Sequence, residues 1–246
     1  MRSMLDERMG VTVGDFRHRG HHHVSRVESF SDAVFGFSLT LLVVSLTVPK
    51  TFDELLHTMA GFPAFAVSFA LLSQIWYQQY RFFRRYGLTD QTTITLNIIL
   101  LFVVVFYTYP LKFLFGSIFA GTPGLQAFRP NQVWQLMAVY GAGYAAMFAV
   151  FALLYRHALA LRAELELTPL ELLETRRSLA VSLLFIGIAF TSVVVAVALT
   201  LFGQPGLAGF CGGLVYPFGI TLGIGRIRRI YAARRSALVA RSATPA

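Results

Sequence analysis

Six stretches of this chain are each about 20 residues long and almost free of charge, and nothing else narrows the possible folds so far. They run from Phe30 to Pro49, Leu56 to Trp76, Ile94 to Phe115, Val133 to Tyr155, Leu179 to Phe202 and Leu207 to Ile224. A hydrocarbon core of ~30 Å is crossed by about 20 helical residues. Inside it only helices or closed barrels satisfy the backbone, and apolar runs without strict alternation select helices. The expected fold is therefore all-α, a polytopic membrane protein of six transmembrane helices with no re-entrant pore loop. Composition agrees: 56% hydrophobic residues, 13% charged residues and a mean hydropathy of +0.62 lie outside the soluble globular range.

The arginines predict the orientation, because cytoplasmic flanks collect Lys and Arg while translocated loops lack them. They cluster before the first run, between the second and third, between the fourth and fifth, and after the sixth, whereas the other side has only Lys50, Lys112 and Arg129. Both termini are thus expected in the cytoplasm of a multi-pass cell-membrane protein, and the formal charge of +9 is read as topology, not as nucleic-acid binding. Three parts follow: a cytoplasmic N-terminal arm over 1–25, a transmembrane unit over 26–225 and a basic cytoplasmic tail over 226–246. The arm has no apolar h-region and no small-residue cleavage site, so no removable signal peptide is expected. Its "HRGHHHV" reads as a flexible polar flank, and the tail as a frayed, solvated topology signal in preference to a basic helix resting on lipid head groups. Thr168-Pro169 followed by Glu171 predicts a helix start with Thr168 as N-cap, opening a juxtamembrane turn.

Chemistry-bearing motifs are scarce. The sequence holds no HExxH, GxSxG or GxxxxGK[ST] pattern and no pair of carboxylates within the apolar runs, so an enzyme is the least expected class, with no cofactor and no metal site. The single cysteine, Cys211, excludes an intrachain disulfide. The glycine pairs Gly209/Gly213 and Gly219/Gly223 have the spacing that lets helices approach closely. Trp76, Tyr77, Tyr80, Trp134 and Tyr155 lie near run ends, as interfacial anchors do.

The first run is the unusual one, because "RVESFSDAVFGFSLTLLVVSLTVP" places Asp32 where a span is already under way. At about 100° per residue, Ala33, Phe37, Thr40, Leu41, Val44 and Val48 fall on one stripe, and Asp32 lies roughly 140° from its centre at Phe37. If the stripe lines a passage, Asp32 points into neighbouring protein, where burial demands a partner. Arg26, Gln79 and Asn97 are the candidates.

The opening residues Arg26, Phe30, Ser31 and Asp32 form an RxxxFSD pattern, and this pattern resembles the signature of the transmembrane-protein-175 potassium channels. "IWYQQYRFFRRY" and "LNIILLFVVVFYTYP" are similar to that family's second and third spans. The resemblance implies a potassium-favouring cation channel without a TVGYG-type filter, assembled as a homotetramer of six-span subunits in the lipid bilayer, with K+ as the permeating ion. It puts Phe37 at the narrowest hydrophobic ring, Val44 at a second apolar layer and Thr40 at the hydroxyl layer that sets selectivity. It also assigns Arg26, Phe30, Ser31 and Asp32, with Trp76, Gln79 and Asn97, to an interhelical polar network. Three residues depart from the pattern: Phe37 replaces a branched aliphatic, Ser45 an acid, and Gln79 a histidine. A small secondary carrier and a non-transporting scaffold are the alternatives.

Overall fold

The structure, a computed structural model, describes residues 12–13, 16–17, 19, 25–44, 50–119 and 132–243. Seven helices dominate these residues: α1 (Arg26–Val44), α2 (Phe52–Ala60), α3 (Phe62–Tyr86), α4 (Gln91–Phe119), α5 (Val133–Ala160), α6 (Pro169–Leu201) and α7 (Pro205–Ala243). The arm adds a small antiparallel ribbon, β1 (Thr12–Val13) paired with β2 (Phe16–Arg17), so the all-α expectation holds for the membrane unit but not for the arm. Four helices, α4 to α7, are long and apolar enough to cross a membrane.

The helices form two groups. In the first, α1, α3 and α4 pack on one another; in the second, α5, α6 and α7 do so, and α4 against α5 joins the two. The join is tight at Gly143, where a Cβ would collide with the ring of Tyr107. A second link forms at one end of the bundle, where Phe82 and Tyr86 of α3 meet Tyr155 of α5 with ring centroids 5.6 and 6.3 Å apart. There the Tyr86 hydroxyl and the Thr175 hydroxyl of α6 are hydrogen-bonded at 2.7 Å. Tyr155 is therefore a core residue, not the interfacial anchor its position suggests.

Glycine sets the α6–α7 spacing. A Cβ on Gly219 would lie 2.8 Å from Cγ1 of Ile188, and one on Gly223 would lie 2.5 Å from Cδ2 of Leu184. Gly213 has no such neighbour within 4 Å; Gly212 takes the close contact instead, and its carbonyl accepts a 2.7 Å hydrogen bond from Ser192 Oγ.

The expected boundaries change at three places. The second run, read as one span from Leu56 to Trp76, is broken: α2 ends at Ala60, Gly61 caps it, and α3 starts at Phe62. Pro63 causes this, because it has no N–H to donate and its ring would clash with the carbonyl four residues back, so it is tolerated only in a first turn. From there α3 runs on to Tyr86 and is closed by Gly87 at φ 60, a left-handed cap whose N–H reaches Phe83 O. Next, Thr168 accepts from the Glu171 amide and the Glu171 carboxylate accepts from the Thr168 amide, a full capping box; the expected turn lies ahead of this cap, over 161–166, and α6 runs unbroken to Leu201. Finally, the tail is helical to Ala243. Arg and Ala are good helix formers and no Pro or Gly follows Gly225 before Ala243, so the backbone has no reason to stop at the membrane edge.

Candidate functional site

α1 has two unlike faces. Ser31, Phe35, Ser38 and Leu42, at helical spacing, are buried against α3 and α4. Ala33, Phe37 and Thr40 are exposed on the opposite side, Phe37 to 58%, and Leu41 is half-buried between the faces. An exposed phenyl in mid-helix gains nothing from its own chain. The Thr40 hydroxyl donates to its own backbone, to Phe37 O at 2.7 Å. Val44 closes the helix, but its side chain, like Ser45 and Val48, lies outside the described residues.

A buried line of polar groups holds the inner face. Gln79 Nε2 of α3 donates to Asn97 Oδ1 of α4 at 3.1 Å, and Asn97 Nδ2 donates to Ser31 Oγ of α1 at 2.9 Å. Ser31 Oγ in turn donates to Val27 O at 2.7 Å. All three side chains are at most 2% exposed, so the hydrogen bonds among them stand in for water. One residue from each helix of the first group is thereby fixed in register.

Asp32 does not belong to this line. It is exposed, and its Oδ1 accepts from the indole Nε1 of Trp76 at 2.7 Å. The expectation of a buried acid meeting Arg26, Gln79 or Asn97 is corrected accordingly: one residue along a helix is a 100° turn, so Ser31 takes the buried direction and Asp32 the rim. Arg26 and Phe30 are likewise exposed at the start of α1.

Two further contacts at the same end of the bundle carry no motif. Arg19 of the arm makes a bidentate ion pair with Glu171, 2.9 Å to Oε1 and 2.8 Å to Oε2, and also donates to Glu166 O. Asp90, ahead of α4, accepts from the Thr92 and Thr93 amides and the Thr93 hydroxyl, and lies 2.9 Å from His157 Nε2 at the end of α5. Burial pushes the Asp90 carboxyl up, but the Thr93 hydrogen bonds and His157 outweigh it and hold the group below its ordinary range. An Asp three residues before a Thr marks a cap in sequence; nothing local marks its histidine.

Among the described residues no group of three or more His, Cys, Asp or Glu side chains is placed to hold a metal. The arrangement offers an apolar and hydroxyl surface on one helix, backed by a buried polar line.

Comparison with known proteins points the same way. The profile of the family described as endosomal/lysosomal potassium channel TMEM175 matches residues 26–107, the segment that contains α1, α3 and most of α4. A potassium channel of Marivirga tractuosa is 38% identical over 206 residues, covering 79% of this chain and 83% of the relative. One from Chamaesiphon minutus is 29% identical over 141 residues, 54% of this chain and 64% of the relative. Among solved structures, a variant of the potassium channel MtTMEM175 in complex with a nanobody-MBP fusion protein superposes with a TM-score of 0.76 at 35% identity, covering 89% of this chain and 99% of that one.

Proposed function

Because this chain belongs to the TMEM175 family, we propose that it is a potassium-favouring cation channel whose pore is lined by α1 of each subunit. In this reading α1, α3, α4, α5, α6 and α7 are six spans per subunit, with α2 at the membrane surface and no re-entrant pore loop. The subunits form a homotetramer in the cell membrane, both termini in the cytoplasm. Residues 1–25 are the cytoplasmic arm, 26–225 the channel unit and 226–246 the basic tail.

The observation that supports it is the divided surface of α1. The face that packs within the chain is fully used, and the face carrying Ala33, Phe37 and Thr40 is left for a surface the single chain does not supply. A fourfold axis beside that face makes a pore whose walls are side chains, not carbonyls.

Its mechanism follows from side-chain chemistry. A ring of Phe37 phenyls blocks ions because a cation there sheds water that carbon cannot replace, so closure needs only a radius small enough to dewet. Val44, two turns further along the same stripe, adds a second apolar layer. Between them Thr40 turns oxygen toward a partly dehydrated cation. Four hydroxyls have a weaker combined field than stacked carbonyls, so the preference for K+ over Na+ is moderate. The Ser31–Asn97–Gln79 line sets the rotation of α1, and with it the side chains that meet the axis, while Asp32 and Trp76 fix the helix entrance beside Arg26 and Phe30.

Reconstituted protein tests this directly. Phe37→Ala raises passive K+ flux into liposomes roughly tenfold, about 1.4 kcal/mol off the barrier. Unchanged flux, in protein of unchanged thermal stability, would move the constriction elsewhere.

A further inference from the structure

The seam between the two helix groups opens into a crevice of about 280 Å³, walled by α3 through Leu71, Ile75 and Gln78 and by α7 through Ile220 and Ile224. Its lining is overwhelmingly apolar. Both walls continue toward the arginine-rich end of the bundle on an unbroken face. On α3 the spacing from Gln74 is four, three and four residues: Gln78, Arg81, Arg85. On α7 it runs from Ile220 through Ile224 to Arg228, Tyr231 and Arg235. The α6–α7 contacts fix this direction, since Gly219 faces Ile188 and Gly223 faces Leu184, so α7 descends as α6 ascends. The start of α6 in turn meets the end of α3 through Thr175 and Tyr86. The arginines of both walls therefore lie beyond the same mouth of the crevice.

We propose that this seam is a binding site for an anionic phospholipid, with an acyl chain in the crevice and the phosphate at the arginines of α3 and α7. Charge argues for this occupant. No acidic residue follows Glu174, and α7 carries six arginines, so a second copy offering its own α7 would set arginine against arginine. Arg228 and Arg235 are exposed on a helix leaving the membrane, at the depth and beyond it where head groups lie. Arg81 is held over the ring of Tyr77 at 5.7 Å and Arg234 over that of Tyr231 at 5.8 Å, which orders guanidinium groups on both sides of the mouth. An apolar slot with cations at one end matches an amphiphile, whereas a soluble anion has no use for the slot.

Native mass spectrometry of the full-length protein, given equal phosphatidylglycerol and phosphatidylcholine in detergent, tests the site. The unaltered protein retains phosphatidylglycerol in preference. Replacing both Arg228→Gln and Arg235→Gln, on an exposed stretch of helix, lowers that preference roughly tenfold and leaves phosphatidylcholine retention unchanged. Ile220→Trp, which fills the crevice, lowers retention of both lipids. Glycerol phosphate, the head-group chemistry without chains, does not displace the bound lipid. Equal retention of the two lipids by the unaltered protein, an unchanged preference in the double arginine variant, or displacement by glycerol phosphate overturns the proposal. None of these readouts depends on whether the protein conducts ions.

Discussion

The two three-helix groups hold together by different physics. In α1, α3 and α4 the contact is directional: Gln79, Asn97 and Ser31 form a buried hydrogen-bonded line that is satisfied in only one register. In α5, α6 and α7 the contact is mainly volumetric, with the Ser192 Oγ bond to Gly212 O across it. Glycines at 212, 219 and 223 let two backbones approach, and Tyr144, Phe148 and Phe185 fill the space beside them with ring centroids 4.4 to 5.9 Å apart. A volumetric interface tolerates small rotations; a line of hydrogen bonds does not. The group whose rotation decides what α1 presents to its surroundings is the one that is pinned, and the other is its support.

Substitution can break that contrast. Gly219→Leu places four carbons where even one would meet Ile188, and overpacking of this kind costs about 3 kcal/mol. The expected result is a large drop in Tm with the K+/Na+ ratio of the surviving channels unchanged; a changed ratio would mean that the support group also sets the pore. Asn97→Leu leaves Gln79 Nε2 without its acceptor and removes the donor to Ser31 Oγ, which keeps only its bond to Val27 O, for a loss of about 2 kcal/mol. Here both stability and flux change, since α1 loses its rotational stop, and a variant that unfolds earlier but conducts as before would show the line to be structural only.

A finer test stays within α1. Thr40→Val keeps shape and removes the hydroxyl, so stability holds while the K+/Na+ permeability ratio falls by a few-fold, under about 1 kcal/mol of discrimination. A reversal potential identical to that of the unaltered protein under bi-ionic conditions would sink the hydroxyl layer. The smallest effect lies at the join of the two groups, where Asp90 is held below its ordinary range by Thr93 and His157. A depressed carboxyl contributes stability that is fully present above its unfolded value of ~3.9 and is lost as pH falls through the lower folded value. Melting curves between neutral and acid pH should therefore show an acid-side loss that Asp90→Asn removes; equal pH profiles would show the pair to be idle.

How far the chain discloses this arrangement depends on the range of each interaction. Thr168 and Glu171 are three residues apart, so their capping box is legible from spacing alone. The apolar runs are legible for the same reason. Gly61 and Pro63 carried the break between α2 and α3, but a long apolar window hides a turn when its flanks are equally hydrophobic. The basic tail reads as a frayed, solvated topology signal, whereas helix propensity continues to Ala243. Asp32 and Trp76 are 44 residues apart and Ser31 and Asn97 are 66 apart, so neither pairing has a local sign. Gln79 and Asn97 were legible as polar partners for the start of α1, expected at Asp32, but geometry alone decides that Asn97 meets Ser31 and not its neighbour.

The Thr40 hydroxyl has a final consequence. Its hydrogen is committed to Phe37 O, so what it turns outward is lone-pair density and no donor. Around the proposed axis, an anion would find nothing to solvate it, and a cation would find four acceptors. In the proposed pore, discrimination by sign of charge would then rest on where one hydrogen points.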